Sequence, residues 1–357
     1  MSWGTARPAA DATTAVIAAL ARGELVALPT ETVYGLAARA DDARAVAHLA
    51  GIKGRRRTQP LTWHVAANDA LARFPRVSPL ATRLIERYWP GPLTLVLPGR
   101  ASGVDAAWHD GWSGVRRPAH AACEAVLARA PFPIVATSAN VHGEHPLNSA
   151  AEILAAFGDE LAYVIDGGIP RLGEASVVLK LGPGHFELLR EGIVDLAALR
   201  ATAGLRIGFV CTGNTCRSPM AEGLARDALA QRLAVAPARL AEFGFELTSM
   251  GVYASSGARA SEHAVSVLAA VGIDISQHRS RAALPESIAK LDRVYALTAS
   301  HLEALTQGLP PGKARHCALL DPTGADVLDP IGEARGEYER TAAQIRRAVE
   351  RRLDEWA

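Results

Sequence analysis

The chain has 357 residues, with 38 Lys and Arg against 37 Asp and Glu, a net charge of +1. At ~100–200 residues per domain this predicts two domains. The even balance (20 basic and 19 acidic residues in 1–200, 18 of each in 201–357) excludes a protein that holds nucleic acid by bulk charge, and neither half is a charged tail. With 49% hydrophobic and 21% charged residues, the chain has enough apolar material for ordinary cores and is not of the disordered class.

Apolar periodicity and turn residues give the elements in order. Residues 13–21 read as a helix, 24–29 (ELVALP) as a buried strand, 41–50 as a helix and 61–65 as extended. Helices are expected at 79–88, 119–129 and 149–157, and strands at 93–98 (LTLVLP), 133–137 and 162–165. Strands at 176–181 and 185–190 suggest a hairpin around Gly182–Gly184. A short helix at 195–200 is followed by Ala201–Gly204, read as small and flexible. The pattern then restarts with a strand at 205–210 (LRIGFV), a long helix from Pro219 to about Leu233, and a final amphipathic helix over about 338–356. Strands mixed with helices define an α/β class in both halves. The halves share no internal repeat, so residues 1–202 and 203–357 are expected to be two unlike domains.

No stretch approaches the ~20 apolar residues of a membrane span. The N-terminus lacks the charged start and apolar core of a signal peptide. Four cysteines without metal-ligand spacing argue against a disulfide scaffold or structural zinc. A cytoplasmic protein is the expectation.

In the second half, Cys211-Thr212-Gly213-Asn214-Thr215-Cys216-Arg217-Ser218 runs from a buried strand into a helix. Ser218 suits a helix cap and Pro219 the first helical position. Such a loop wraps a helix N-terminus, where free N–H groups and the dipole attract an anion. Gly213 and Asn214 tolerate the positive φ that inward-aimed amides need. Arg217 supplies a forked cation for two phosphate oxygens. The same positive field favours the thiolate of Cys211, which can attack phosphorus and form a phosphocysteine. Ser218 can hydrogen-bond that thiolate. A leaving group needs a proton, and Asp329 and Asp321, each followed by proline, are the candidate acids. Cys216 is either a packing residue or an oxidation partner of Cys211.

The words FVCTGNTCRSPMAEG, TSMGVYAS, GIDISQHRSR, DRVYAL and VLDP resemble the low-molecular-weight protein phosphatases over residues 205–357. The resemblance implies a parallel, doubly wound sheet, a Cys211 nucleophile, Arg217 as phosphate binder and Asp329 as acid, placed just before the last helix. CTGNTCRS is similar to the arginine-phosphatase branch, with Thr215 where tyrosine-specific members often carry isoleucine and Ile331 where they tend to carry an aromatic. Phosphoarginine proteins are therefore the implied substrates, and phosphotyrosine proteins the alternative. No cofactor is implied for this half.

In the first half, polar clusters at 29–35 (PTETVYG), 53–57 (KGRRR), 137–140 (TSAN) and 190–192 (REG) sit at the ends of apolar elements, where α/β proteins place ligands. Lys53, Arg55 and Arg190 are cations suited to a polyphosphate, while Thr32, Ser138 and Asn140 are neutral hydrogen-bonding groups. From the residues alone, 53–57 is equally a solvated surface run and TSAN a helix cap. No Walker loop or GxGxxG occurs.

In order, PTETVYGLAA, IKGRRRTQPLTWHV, WPGPLTLVL, GVRRP, ATSAN, DGG and ASVV…LLREG resemble the YrdC-like threonylcarbamoyl-AMP synthases over about residues 13–195. The resemblance implies a mixed, twisted sheet with helices. It also implies a reaction joining L-threonine, bicarbonate and ATP, whose product serves the t6A modification of tRNA. By this likeness Thr32, His64, Arg116 and Ser176 hold L-threonine, and Lys53, Arg55, Ser138, Asn140 and Arg190 hold ATP. Mg2+ is expected with ATP, with no protein ligand assigned. Downstream t6A transfer proteins are the implied partners, and tRNA is a further candidate. Arg56 and Gln59 depart from the family's usual Pro and Asn, and Val177 from its Thr. An RNA-binding module that has lost catalysis is the alternative reading of this half.

Overall fold

The computed structural model describes residues 10–53, 61–140, 145–182, 184–307 and 309–356. Arg55, Arg56, Arg57 and Gln59 lie outside the described residues. The chain divides into two compact units, one running to Leu199 and the other from Arg200, a short turn before Phe186 excepted.

The first unit holds strands β1 (Leu25–Leu28), β2 (Gly35–Arg39), β3 (Thr62–His64), β4 (Leu93–Pro98), β5 (Trp108–His109), β6 (Trp112–Arg116), β7 (Ile134–Ser138), β8 (Leu161–Val164), β9 (Val177–Leu181) and β10 (Phe186–Arg190). They form one mixed sheet in the order β10-β9-β4-β6-β3-β7-β2-β1-β8, with β5 paired to β6. The pair β9–β10 is the expected hairpin, in antiparallel register Phe186↔Leu181. Helices α1 (Ala10–Ala21), α2 (Ala43–Ile52), α3 (Pro79–Tyr88), α4 (Ala121–Arg129) and α5 (Ala150–Phe157) accompany it. Asp42, Ser78 and Ser149 cap α2, α3 and α5, each accepting from backbone N–H groups of the first turn. Val16, Leu20, Val26, Leu28, Val126 and Ile165 bury a core between α1, α4 and the sheet.

Helix α6 (Leu196–Ala203) carries the chain from one unit to the other. The flexible stretch expected at Ala201–Gly204 is thus helical through Ala203. Gly204 is also fixed: a Cβ there would lie 1.9 Å from Gly244 O.

The second unit has four parallel strands, β11 (Arg206–Cys211), β12 (Glu246–Gly251), β13 (Arg293–Ala296) and β14 (Cys317–Leu319), ordered β12-β11-β13-β14. Its helices are α7 (Arg217–Leu233), α8 (Glu262–Ala269), α9 (Pro285–Ile288), α10 (Ala299–Gln307), α11 (Pro311–Ala314) and α12 (Arg335–Trp356). The order reverses direction beside β11, the first strand, and a crevice at the carboxyl end of such a strand is where doubly wound sheets bind ligands. The core is anchored by Phe209, Tyr295 and Trp356, whose ring centroids lie 5.7–6.2 Å apart. Trp356 is fully buried and donates its indole N–H to the Tyr295 hydroxyl at 2.9 Å.

Two measurements follow. Residues 1–199 and 200–357, expressed separately, should each unfold cooperatively; a fragment 200–357 without a transition would show that the second unit needs the first. In that fragment Gly204→Ala forces backbone apart. At ~1–3 kcal/mol for an overpacked site, its midpoint should fall by roughly 3–10 °C.

Candidate functional sites

In the first unit the residues after β1 form a tight polar turn. Thr30 Oγ1 donates to Val33 O at 2.6 Å and accepts from the backbone N–H groups of Thr32 and Val33. The turn buries Glu31, which is 2% exposed. Its carboxylate accepts from Arg116 Nη2 at 2.7 Å and from Ala119 N at 2.8 Å. Arg116, at the end of β6, also donates to Thr32 Oγ1 at 2.7 Å and to Gly91 O. The sequence reading did not single out Glu31. Its only signal is an acidic residue between two threonines directly after a buried strand.

A cavity of about 400 Å³ opens beside this cluster. It is lined by His64, Arg116, Ser138, Ser176 and Arg190 among the expected residues, together with Trp112 and Lys180. Arg190 grips Ser176 twice, Nη2 to Oγ and Nε to O, both at 3.0 Å, and Ser176 Oγ lies 2.8 Å from Thr94 Oγ1. Lys180 Nζ sits 4.4 Å from the Trp112 ring centroid, a third cation at the cavity, beside Arg116 and Arg190, that sequence reasoning missed. Thr32 is held behind Arg116 and does not line the cavity, nor do Lys53 and Asn140. The Lys53 ammonium is 2% exposed and donates to Ser138 O at 2.8 Å, to Asn140 Oδ1 at 2.5 Å and to Asn140 O. It thereby fixes the 138–140 loop from behind. Among the described residues no group of three His, Cys, Asp or Glu could hold a metal.

His64 Nδ1–H donates to Thr62 O at 3.0 Å, which leaves Nε2 as an acceptor. Burial, and then the Arg116 charge, push its pKa down to about 4.

In the second unit β11 delivers Cys211 to the mouth of α7. Asn214 adopts φ +55 and is fully buried. Its side chain donates to Ser218 Oγ at 2.8 Å and Ser249 Oγ at 3.0 Å and accepts from Arg281 N, while its carbonyl accepts from His278 Nε2–H at 2.8 Å. These bonds hold the left-handed residue that the loop requires. Loop and neighbouring chain are closely apposed: a Cβ on Gly251 would lie 2.5 Å from Thr212 O. Cys211 Sγ is 3.0 Å from Ser218 Oγ, whose hydroxyl also reaches Met250 O at 3.2 Å. Because Asn214 supplies the donor to Ser218 Oγ, the Ser218 proton is left for either the carbonyl or a Cys211 thiolate.

Arg217, the first residue of α7, is buried. It donates to Asp329 Oδ2 at 2.5 Å, to Thr212 Oγ1 at 3.2 Å and to Val327 O at 3.3 Å. Asp329 stays 42% exposed at its side chain. Asp321, by contrast, is bound to Thr323 within its own turn and to Arg351 of α12. The geometry thus joins Asp329, not Asp321, to the loop. Thr215 Oγ1 lies 3.7 Å from Cys216 Sγ, and Cys216 is buried with its Sγ 3.4 Å from Tyr338 OH. Exposed Tyr253 follows β12 and bonds Thr212 O through its backbone N–H at 3.0 Å; its aromatic character was not weighed in the sequence reading.

These two arrangements correspond to two known families. Residues 18–192 match the Sua5, YciO and YrdC family model, described as telomere recombination. Residues 206–356 match the model described as low molecular weight phosphotyrosine protein phosphatase. The chain belongs to both families, a fusion of a YrdC-like domain with a low-molecular-weight phosphatase domain. It is 36% identical over 211 residues to the threonylcarbamoyl-AMP synthase of Pyrococcus abyssi, spanning 57% of this chain and 60% of that protein. To the threonylcarbamoyl-AMP synthase of Halorhodospira halophila it is 37% identical, over 44% of this chain and 81% of that one. The chain thus spans 60% and 55% of the first two relatives, from P. abyssi and Bacillus subtilis. Among solved structures, a variant of P. abyssi Sua5 superposes with a TM-score of 0.54 at 30% identity, covering 64% of this chain and 75% of that one. A low molecular weight protein tyrosine phosphatase from T. tengcongensis is 36% identical, covering 41% of this chain and 96% of that one, with a TM-score of 0.37. Among the described residues no helix is long and apolar enough to cross a membrane.

The depressed His64 pKa sets a pH dependence. The unfolded chain takes up a proton near pH 6.5 and the folded one only near 4. Stability is therefore whole above about 6.5 and falls as pH drops through that window, by about 3 kcal/mol in all. His64→Gln should flatten the thermal-midpoint profile of fragment 1–199 between pH 7 and 5. An unchanged slope would assign the acid sensitivity to another group.

Proposed function

We propose that the chain is a bifunctional enzyme. The first unit forms threonylcarbamoyl-AMP from L-threonine, bicarbonate and ATP for tRNA modification. The second hydrolyses protein phosphoarginine through a phosphocysteine. What supports the first reading is the convergence of His64, Arg116, Ser138 and Arg190, from four separate strands, and of Ser176, just before β9, on one cavity. Arg116, oriented by Glu31, meets the threonine carboxylate. Neutral His64 accepts the threonine hydroxyl at Nε2. The threonine amine is carboxylated to a carbamate, whose oxygen then bonds the α-phosphorus while the bond to the β-phosphate breaks and pyrophosphate leaves with its electron pair. Arg190, Ser138 and Arg55 hold the triphosphate, and Lys53 and Asn140 hold Ser138 in place. Mg2+ would accompany ATP on its phosphates, with no protein ligand assigned. The product passes to t6A transfer proteins in the cytoplasm.

Pyrophosphate release should need L-threonine and bicarbonate together. Lys53→Ala, which frees the 138–140 loop, should lower it ~10²-fold or more, the scale seen when one preorganised donor is removed. ATP cleavage that ignores threonine would sink the synthase reading. RNA binding without cleavage would favour the catalytically silent module.

The second reading rests on the Cys211–Ser218 and Arg217–Asp329 pairs at the start of α7. Cys211 sulfur bonds phosphorus, the P–N bond breaks, and Asp329 protonates the departing nitrogen. Water then bonds phosphorus and gives Asp329 its proton as the S–P bond breaks, and Ser218 donates to the returning thiolate. Thr215 and the aliphatic Ile331 favour phosphoarginine over a flat phenyl ring. Exposed Tyr253 beside Thr212 favours the alternative, phosphotyrosine, by offering an aromatic wall.

Kinetics on phosphoarginine and phosphotyrosine peptides separate the two. Phosphoarginine should be preferred, and Thr215→Ile should shift the ratio toward phosphotyrosine. Cys211→Ser should abolish both activities, and Asp329→Asn should slow phosphotyrosine cleavage strongly, since phenolate departure needs a proton. A wild-type preference for phosphotyrosine that Thr215→Ile leaves untouched would make this a tyrosine phosphatase.

A further inference from the structure

His301 has no part in the chemistry above, yet the fold ties it to the anion loop. It sits in the first turn of α10 and is 5% exposed. Its Nε2 is 2.8 Å from Thr212 Oγ1 and its Nδ1 is 2.7 Å from Thr298 Oγ1. Thr298 Oγ1 also accepts the His301 backbone N–H at 3.3 Å and lies 2.9 Å from exposed Ser300 Oγ. Thr212 Oγ1 accepts from Arg217 Nη2 at 3.2 Å. A continuous chain of hydrogen-bonding groups thus runs from Ser300 through Thr298, His301 and Thr212 to the arginine of the loop.

We infer that His301 is a positioning residue for phosphoryl transfer, orienting the Thr212 hydroxyl and, through it, Arg217. The inference rests on the phosphatase reading of this unit. A neutral imidazole has one donor and one acceptor, so the chain has two complete arrangements. In one, the Thr212 O–H donates to Nε2, Nδ1–H donates to Thr298, and Thr298 donates to Ser300. In the other, every proton reverses: Ser300 donates to Thr298, Thr298 to Nδ1, and Nε2–H to Thr212. Only the second leaves the Thr212 O–H for a phosphoryl oxygen, while Thr212 Oγ1 accepts from both Arg217 and His301. An anion in the loop therefore selects the Nε2–H tautomer, and the imidazole is the pivot that lets the hydroxyl turn without losing a partner. The charged groups that act on the ring are Arg217 from α7 and Asp326 and Asp329 from the loop before α12. Burial, and then Arg217, lower its pKa, so the pivot is neutral near pH 7.

The test uses the full chain, inorganic phosphate binding by calorimetry, and p-nitrophenyl phosphate turnover. His301→Leu should weaken phosphate binding and lower kcat/KM roughly tenfold, the scale of one or two hydrogen bonds. His301→Gln, which keeps one donor and one acceptor, should stay within about threefold of wild type. Thr212→Val should match His301→Leu, and the double variant should be no worse than Thr212→Val alone, because one interaction is removed twice. A further full loss on combining them, or wild-type phosphate binding in His301→Leu, overturns the inference. Should His301→Leu not fold, the ratio of wild-type to His301→Gln phosphate affinity decides. It should stay within about threefold, because the amide keeps one donor and one acceptor, and a roughly tenfold or larger ratio overturns the inference. Failure of the phosphatase reading looks different: wild type and Cys211→Ser would turn over the ester equally slowly while phosphate binding still responded to His301.

Discussion

Each unit of this protein buries an arginine, and a guanidinium out of water needs a carboxylate and further acceptors around it. Arg116 has Glu31, Thr32 Oγ1 and Gly91 O; Arg217 has Asp329, Thr212 Oγ1 and Val327 O. The two carboxylates differ in exposure, and that difference decides what each can do. Glu31 is sealed under the turn after β1, bonded on both oxygens, and can only fix the arginine. Asp329 reaches solvent, its side chain 42% exposed, with Oδ2 accepting from Arg217 and Oδ1 from Ile331 N at 3.3 Å, and in the proposed reaction an arriving phosphate takes its place on Arg217. Removing Glu31 would strand a buried charge at a cost of ~3–5 kcal/mol, whereas Asp329 is free to leave by design of its exposure.

The sequence pattern located most elements of the first unit, and β11, α7 and α12 of the second, because apolar runs and caps are local signals. The helix at 79–88 and the strand at 93–98 coincide with α3 and β4. What escaped is instructive. β2, Gly35–Arg39, is fully paired between β1 and β7 but reads GLAAR, too small and short to declare itself. β6 carries Arg116 yet reads WSGVR, with a glycine in the middle. Ala201–Gly204 was read as flexible, although alanine is the strongest helix former and the glycine faces a backbone neighbour; α6 runs through to Ala203.

The sites were legible where one short segment carries the geometry. Cys211, Asn214, Arg217 and Ser218 are a single strand–loop–helix junction, and the structure assembles them together. Long-range partners were not legible. Glu31 meets Arg116 across 85 residues and His301 meets Thr212 across 89, and no local pattern distinguishes an acid or a histidine that will be buried from one on a solvated face. The same distance explains Lys53. Its position beside three arginines suggested a phosphate contact, but the fold turns it inward onto the 138–140 loop.

The two units also solve a common electrostatic problem in the same way. Each sets a buried histidine close to its arginine, His64 by Arg116 and His301 by Arg217, and in both cases burial and then the guanidinium lower the histidine pKa. A second positive charge at either place would be repelled by the arginine and poorly solvated, so the imidazole stays neutral. A neutral ring keeps something a cation loses, an acceptor nitrogen. In the first unit that nitrogen is Nε2 of His64, open to a hydroxyl donor. In the second it alternates between the two ring nitrogens of His301 as the Thr212 hydroxyl turns. Arginine supplies the fixed charge in both, and histidine beside it supplies direction without charge, a division of labour that lysine could not reproduce because its own proton is lost more readily when buried.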